Sequence, residues 1–251
     1  MQLLKMGGSA ITEKRGWKAA DRAAIARLAS AVGRVWKAGR RDLVVVHGAG
    51  SFGHALVKKY GLDRGVRSAA QKKACRRVQE ACAELSSLVA RELRKKGVPA
   101  VSLAPHELIV SSNRRIRKFN SSPVFAALKQ GKLPVLYGDM VPDSKLGFSV
   151  CSGDQIIARL GKKAKRMVFA TNVDGVLADG KLVPLITKRN FASVARHLRG
   201  SSAADVTGGM AGKIREIMKS GRLAYVANAA HPERIEALLL GKKAQATRIR
   251  P

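Results

Sequence analysis

Aromatic residues make up only 4% of this 251-residue chain, too few for the base-stacking platform that single-strand nucleic-acid binders use. Cysteine is scarcer still. Cys75, Cys82 and Cys151 fall in no metal-ligand spacing, and their odd number predicts reduced, buried thiols with no disulfide and no zinc. Long apolar runs are also missing: no stretch is long enough to cross a bilayer, Lys5 interrupts the first apolar residues, and no small-residue cleavage site follows. That pattern predicts a cytoplasmic protein with no membrane insertion. Acidic residues number 17 against 48 Lys and Arg, a net charge of +31. Such a field gathers nucleotides, phosphorylated metabolites or nucleic acid without choosing among them, and non-specific nucleic-acid binding is one expected consequence.

Glycine is plentiful, and three clusters of it carry the argument. His47-Gly48-Ala49-Gly50-Ser51-Phe52-Gly53-His54 follows the run Leu43-Val44-Val45-Val46. A strand running straight into three glycines presents bare backbone N–H groups with nothing bulky before an incoming anion. This reads as a phosphate cradle. Lys5-Met6-Gly7-Gly8-Ser9 and Asp205-Val206-Thr207-Gly208-Gly209-Met210 are two further glycine turns, each with a lysine attached. All three read as walls of one site.

Along the chain, Gln2 to Met6 predicts a buried strand. Asp21 to Lys37 predicts a helix, with Ile25, Leu28, Val32 and Val35 at helical spacing and Gly39 closing it. A basic helix from about Ala69 to Lys96 places Val78, Cys82, Leu85 and Val89 on one face. A strand over Val98 to Leu103, a hairpin over Leu108 to Phe119, a helix opened by Ser122-Pro123 and a strand over Leu133 to Tyr137 come next. Ser152-Gly153-Asp154-Gln155 begins another helix. Met167 to Thr171 and Leu223 to Ala227 predict strands on either side of a helix over Thr207 to Ser220. The expected fold is α/β, with a mostly parallel sheet covered on both faces and ligands beyond the carboxyl ends of its strands. The polar run Gly161-Lys162-Lys163-Ala164-Lys165-Arg166 is the natural boundary between two lobes, 1–161 and 162–251, that share one sheet.

Gly212-Lys213 is not a P-loop: Thr207 stands where the first glycine belongs, and Ile214 replaces the magnesium-binding hydroxyl. Protein-kinase motifs are absent too. In their order, the three glycine blocks together with Gly138-Asp139, Ser152-Gly153-Asp154-Gln155 and Val173-Asp174-Gly175-Val176 resemble isopentenyl phosphate kinases of the amino acid kinase superfamily. The resemblance covers essentially the whole chain. Its most specific blocks are Ser51-Phe52-Gly53-His54 and Asp205 to Met210, whereas the first glycine turn specifies only the superfamily. Asn172 stands where these kinases more often carry aspartate.

The resemblance implies an open αβα sandwich in a single domain over 1–251. It implies transfer of the ATP γ-phosphoryl group, with Mg²⁺, to isopentenyl phosphate in an alternative mevalonate route of isoprenoid biosynthesis, by a homodimer. The N-terminal lobe would hold the acceptor and the C-terminal lobe ATP. Carried over motif by motif, Lys5 and Lys213 would hold the transferring group, and Asp154 would orient both lysines. Gly7, Gly8, Ser9, Lys14, Gly208 and Gly209 would contribute to the ATP phosphates, with Asp174 and Gly175 near the nucleoside. Ala49, Gly50, Gly53, His54 and Gly153 would hold the acceptor, with His54 also catalytic.

The residue types suit that chemistry independently. A phosphate monoester loses its second proton near pH ~6, so the acceptor is already a nucleophile at neutral pH and no general base is needed. The obstacle is repulsion between two polyanions, which fixed lysines and backbone N–H groups oppose. Rival readings are a kinase for another small phosphate, a phosphonate or UMP on the same fold, or a basic RNA-binding protein retaining a kinase scaffold. The Val78, Cys82, Leu85 and Val89 stripe is expected in the core, with part of it free to line a pocket for the acceptor's tail.

Overall fold

The computed structural model describes residues 1–13, 16–198 and 209–251. Fourteen strands are present among them. The first four are β1 (Gln2–Met6), β2 (Leu43–His47), β3 (Ala100–Ser102) and β4 (Ile109–Ser112), followed by β5 (Arg115–Phe119), β6 (Leu133–Tyr137), β7 (Asp139–Asp143) and β8 (Gly147–Cys151). Then come β9 (Arg166–Thr171), β10 (Leu177–Ala178), β11 (Lys181–Leu182), β12 (Leu185–Thr187), β13 (Ala224–Asn228) and β14 (Thr247–Arg250). Eight of them form the main sheet, in the order β12-β14-β13-β9-β1-β2-β6-β3, and every neighbouring pair is parallel except β13 with β14.

Helices cover both faces, as the alternating apolar elements require. In chain order they are α1 (Gly8–Ile11), α2 (Arg22–Lys37), α3 (His54–Lys59), α4 (Ala69–Lys95), α5 (Pro105–Leu108), α6 (Ser122–Lys129), α7 (Gly153–Gly161), α8 (Phe191–His197), α9 (Gly209–Ser220) and α10 (Pro232–Leu240). Leu4, Met6, Val45 and Val135 face α2, α4 and α10, while Leu3, Val44, Val46 and Phe169 face α7 and α9. Period-two alternation along β1 therefore puts Lys5 on the Leu3 face, towards α7. That parity selects Lys5's partner.

Local chemistry accounts for the helix ends. Asp21 caps α2 by accepting from the Ala24 N–H at 2.8 Å, and Ser68 with Gln71 forms a reciprocal capping box on α4. The stripe on α4 divides. Leu85 and Val89 belong to the main core against the sheet. Val78 and Cys82 belong to a separate apolar cluster with Leu56, Val57, Tyr137 and Met140.

A second sheet, β5-β4-β7-β8, extends past the end of β6. The β4–β5 hairpin is the one expected from the sequence, and Asp143 anchors it. The Asp143 carboxylate accepts from the N–H groups of Asn113, Arg114, Lys145 and Leu146 at 2.8 to 3.1 Å. Those donors hold its pKa below the ordinary aspartate value against the burial that would raise it.

Candidate active site

The site lies where β1, β2, β6 and β9 end together. Gly7 N–H donates to Ala170 O at 2.8 Å, Gly48 N–H to Met6 O at 3.0 Å, and Gly138 N–H to His47 O at 2.9 Å. The first two glycine turns then meet backbone to backbone. A Cβ on Gly8 would lie 2.7 Å from Gly50 N, and one on Gly48 would lie 2.6 Å from Gly8 N. Gly50 also has φ +51°, in the left-handed region that glycine alone adopts freely. Thr12 secures this junction, its hydroxyl donating to Gly8 O at 2.9 Å and accepting from Ser51 N–H at 3.1 Å. Behind the junction, Gly153 approaches His47 O so closely that a Cβ would be 2.9 Å away, while Gly138 abuts Gly153 N and Ala49 N.

Two ammonium groups and one carboxylate converge beside these turns. Lys5 Nζ is 2.8 Å from Asp154 Oδ1, and Lys213 Nζ is 3.2 Å from Asp154 Oδ2. Lys5 is 6% exposed and Asp154 7%, so a low local dielectric strengthens these contacts. Burial drives the Lys5 pKa down to about 8, helped by the positive Lys213 and opposed by Asp154. Burial would raise the Asp154 carboxyl, yet Lys213 and Lys5 together hold it far below the ordinary aspartate value. Its place in the first turn of α7, after the Ser152 cap, adds the favourable end of the helix dipole. One carboxylate for two lysines leaves a net positive charge facing the glycine turns. This arrangement suits a polyphosphate and offers no general base.

The two histidines of the cradle block separate in role. His47 is fully buried, stacks on Tyr137 with ring centroids 5.5 Å apart and contacts Gly48 O through Nδ1 at 3.0 Å. Burial keeps it neutral, with a pKa lowered to about 4. His54 opens α3 immediately after Gly53 and is half-buried. Gly53 packs against the apolar cluster, with Cys82 Sγ 3.5 Å and Val78 Cγ1 3.8 Å from where its Cβ would be. The cradle thus adjoins an apolar wall of Val78, Cys82, Leu56 and Val57.

Of the other anticipated residues, Gly7, Gly8, Ala49, Gly50, Gly53 and Gly153 lie at this junction, and Ser9 is exposed beside it in α1. Gly209 begins α9, four residues before Lys213. Lys14, Gly208 and the Asp205 to Thr207 part of the third block lie outside the described residues. Asp174 sits after β9, where Oδ1 accepts from Arg234 at 2.9 Å and from Asn228 at 3.2 Å. Gly175 is a packing glycine whose Cβ would strike the Leu182 side chain and Thr247. Among the described residues no group of three or more His, Cys, Asp or Glu side chains converges on one point, and both Asp154 oxygens are engaged by ammonium groups. Among the described residues there is therefore no dedicated carboxylate cage for a divalent ion there.

Sequence reasoning missed the hairpin's contribution. A cleft of about 390 Å³ outside Asp154 is lined by Arg114, Arg115, Gln155, Gly212 and Arg215. Arg115 forms a two-pronged pair with Glu216 of α9 at 2.9 and 3.1 Å, and Gln155 donates to Arg114 O at 3.2 Å. These arginines look like solvated surface in the sequence because nothing local announces the distant Glu216. The Asn113-Arg114 turn, with φ of +48° and +65°, aims them at α9.

The amino acid kinase family model matches residues 1–226. Isopentenyl phosphate kinase of Methanothermobacter thermautotrophicus is 37% identical over 99% of this chain and 98% of its own length. That of Methanocaldococcus jannaschii is 33% identical over 96% of each. A solved isopentenyl phosphate kinase structure superposes with a TM-score of 0.84 at 34% identity, covering 99% of this chain and all of the other. No helix among the described residues is long and apolar enough to cross a membrane.

Proposed function

The chain belongs to the isopentenyl phosphate kinases of the amino acid kinase family, and we propose from that premise that it transfers the γ-phosphoryl group of ATP to isopentenyl phosphate, giving isopentenyl diphosphate. The observation that carries this reading is the buried Lys5–Asp154–Lys213 triad beside interlocked glycine turns. In this reading the two ammonium groups bracket the transferring phosphoryl group and oppose the charge that spreads over its equatorial oxygens. Asp154 is a positioning residue that keeps both cations at fixed points and keeps Lys5 protonated. The turns at Gly7-Gly8 and Gly209 hold donor phosphates, joined by Ser9, Lys14 and Gly208, and the loop of Asp174 and Gly175 borders the nucleoside. Mg²⁺ enters with the nucleotide, as part of the donor substrate, and supplies charge neutralisation there.

Gly50, Gly53, Ala49 and Gly153 hold the acceptor's phosphate, with His54 donating to one of its oxygens. A phosphate beside His54 favours the protonated imidazole. The apolar wall of Val78, Cys82, Leu56 and Val57 is suited to the five-carbon tail, whose burial would exclude water from the reacting oxygens. The acceptor side is the lobe 1–161, the donor side is 162–251, and the active species is a homodimer in the cytoplasm.

The test is ATP turnover with Mg²⁺ and isopentenyl phosphate, run beside UMP and isopentenol at matched concentration. Diphosphate formed from isopentenyl phosphate alone is the expected result. Turnover of UMP alone, or of none of the three, would refute the acceptor assignment.

A further inference from the structure

The main sheet has two edges with different characters. Its carboxyl edge holds the site. At its amino edge, α2, α4, α6, α7 and α9 return to strands, and α10 ends, through connections that carry exposed cations. Arg40 and Arg41 lead into β2, Lys96 into β3, and Lys132 into β6. The connection into β9 is Lys162-Lys163-Ala164-Lys165; Arg222 leads into β13, and Lys242-Lys243 follow α10. All of these cations are exposed. The one acidic residue in the six connections, Asp42, is paired with the Met1 amino group at 3.2 Å. These connections are neighbours in space: Lys165 N–H donates to Met1 O at 2.8 Å, and Gln2 N–H to Asp42 O at 2.7 Å.

A helix dipole draws a cation or so to each helix end. Three lysines in four residues after α7 exceed that. The edge also holds a cleft of about 420 Å³ between the ends of α2 and α4, lined by Lys37, Lys96, Arg34 and Lys95. From β3 across to β13 the edge crosses five strand spacings, about 24 Å at ~4.8 Å each, or roughly two-thirds of a duplex turn. The exposed large apolar side chains among the described residues, Trp17, Val110, Leu177 and Leu185, all lie outside these connections. The edge therefore has neither the apolar anchor of a membrane-binding surface nor the aromatic rings of a single-strand platform.

We propose that this amino edge is a docking face for the phosphate backbone of double-helical nucleic acid, read by charge and not by sequence. Strands of five residues keep it about 16 Å from the carboxyl edge, so docking leaves the kinase site open. About five phosphate contacts would make affinity fall several hundred-fold between 50 and 200 mM salt.

The experiment measures anisotropy of labelled 20-base-pair RNA and DNA duplexes with the full chain across that salt range. It compares wild type, Lys162→Glu/Lys163→Glu/Lys165→Glu, and a charge-matched control, Lys72→Glu/Lys73→Glu/Arg76→Glu, at the far end of α4. Expected is a loss of at least 30-fold in affinity and about three units of salt slope for the edge variant, little change for the control, and unchanged ATP turnover in the edge variant. Binding of RNA alone, DNA alone or both identifies the source of the duplex. Equal losses in the two variants would reduce the effect to net charge and overturn the assignment of a face. Binding to vesicles with 30% anionic lipid but to neither duplex would overturn it in favour of a membrane surface.

Discussion

Replacing Asp154 by asparagine keeps the side chain's shape and removes the charge 2.8 Å from Lys5 Nζ and 3.2 Å from Lys213 Nζ. Two unit charges about 4 Å apart interact by about 4 kcal/mol at an effective dielectric of 20, close to ~3 pKa units. Lys5 starts at about 8, so without Asp154 its pKa falls further, and at pH 7 most of the free enzyme lacks that ammonium. The value of kcat/KM for ATP, which reports the free enzyme, should fall about 10²-fold at pH 7. Its alkaline limb, near pH 8 in the wild type, should move to lower pH. The folded Lys5 value lies below its ordinary 10.5, so the protonated form costs stability below pH 8, and that cost disappears as pH rises towards 10.5. Wild-type activity should thus decline through pH 8 without a matching loss of stability from this group. For the same reason, D154N at neutral pH should lose less than the ~3–5 kcal/mol typical of a broken buried pair, because Lys5 gives up its proton. ADP release from pH 4.5 to 9.5, with thermal unfolding alongside, measures both. An alkaline limb that stays near pH 8 in D154N would refute the coupling.

Three further outcomes are expected. His54→Ala should leave the unfolding midpoint in place and reduce kcat about 10²-fold, the usual cost of one preorganised donor; wild-type kcat would remove His54 from the reaction. Gly48→Ala places a methyl 2.6 Å from Gly8 N and should cost about 1–3 kcal/mol, seen as a Tm lowered by several degrees, whereas an unchanged Tm would mean the two turns are not interlocked. Val78→Ala, beside Gly53, should raise kcat/KM for longer prenyl phosphates relative to isopentenyl phosphate. Lost stability with an unchanged chain-length profile would assign Val78 to packing alone.

Much of this site was legible because its parts are backbone features with residue signatures. Glycine runs after β-branched strands marked the turns at Gly7-Gly8 and Gly48 to Gly53, and Ser152 before Gly153-Asp154 marked a helix start. The pairing of Lys5 with Asp154 came with the family resemblance, and strand parity in the structure accounts for it. Contacts that the side chains of loops and hairpins make across the fold were not legible. Arg115 meets Glu216 across the cleft, and Asp143 gathers four N–H groups from two turns, with no periodicity to announce either. The α4 stripe reads as one face, yet it serves two apolar clusters, because a 27-residue helix outlasts the sheet it covers. The strands β12 and β14 are short, three and four residues, while β7 and β8 are as long as β1 but mix polar with apolar residues, and β7 follows β6 after a single glycine.

The contact between the Gly8 and Gly48-Gly50 turns has an evolutionary corollary. Because no side chain stands between them, the separation of donor and acceptor phosphates in the proposed site would be set by main chain, which point mutation outside the glycines leaves alone. Residues at the apolar wall, such as Val78, Leu56 and Val57, can then drift and be selected for new tails while the reactive distance is inherited unchanged. A lineage built this way can explore acceptors one side chain at a time without passing through an inactive ancestor.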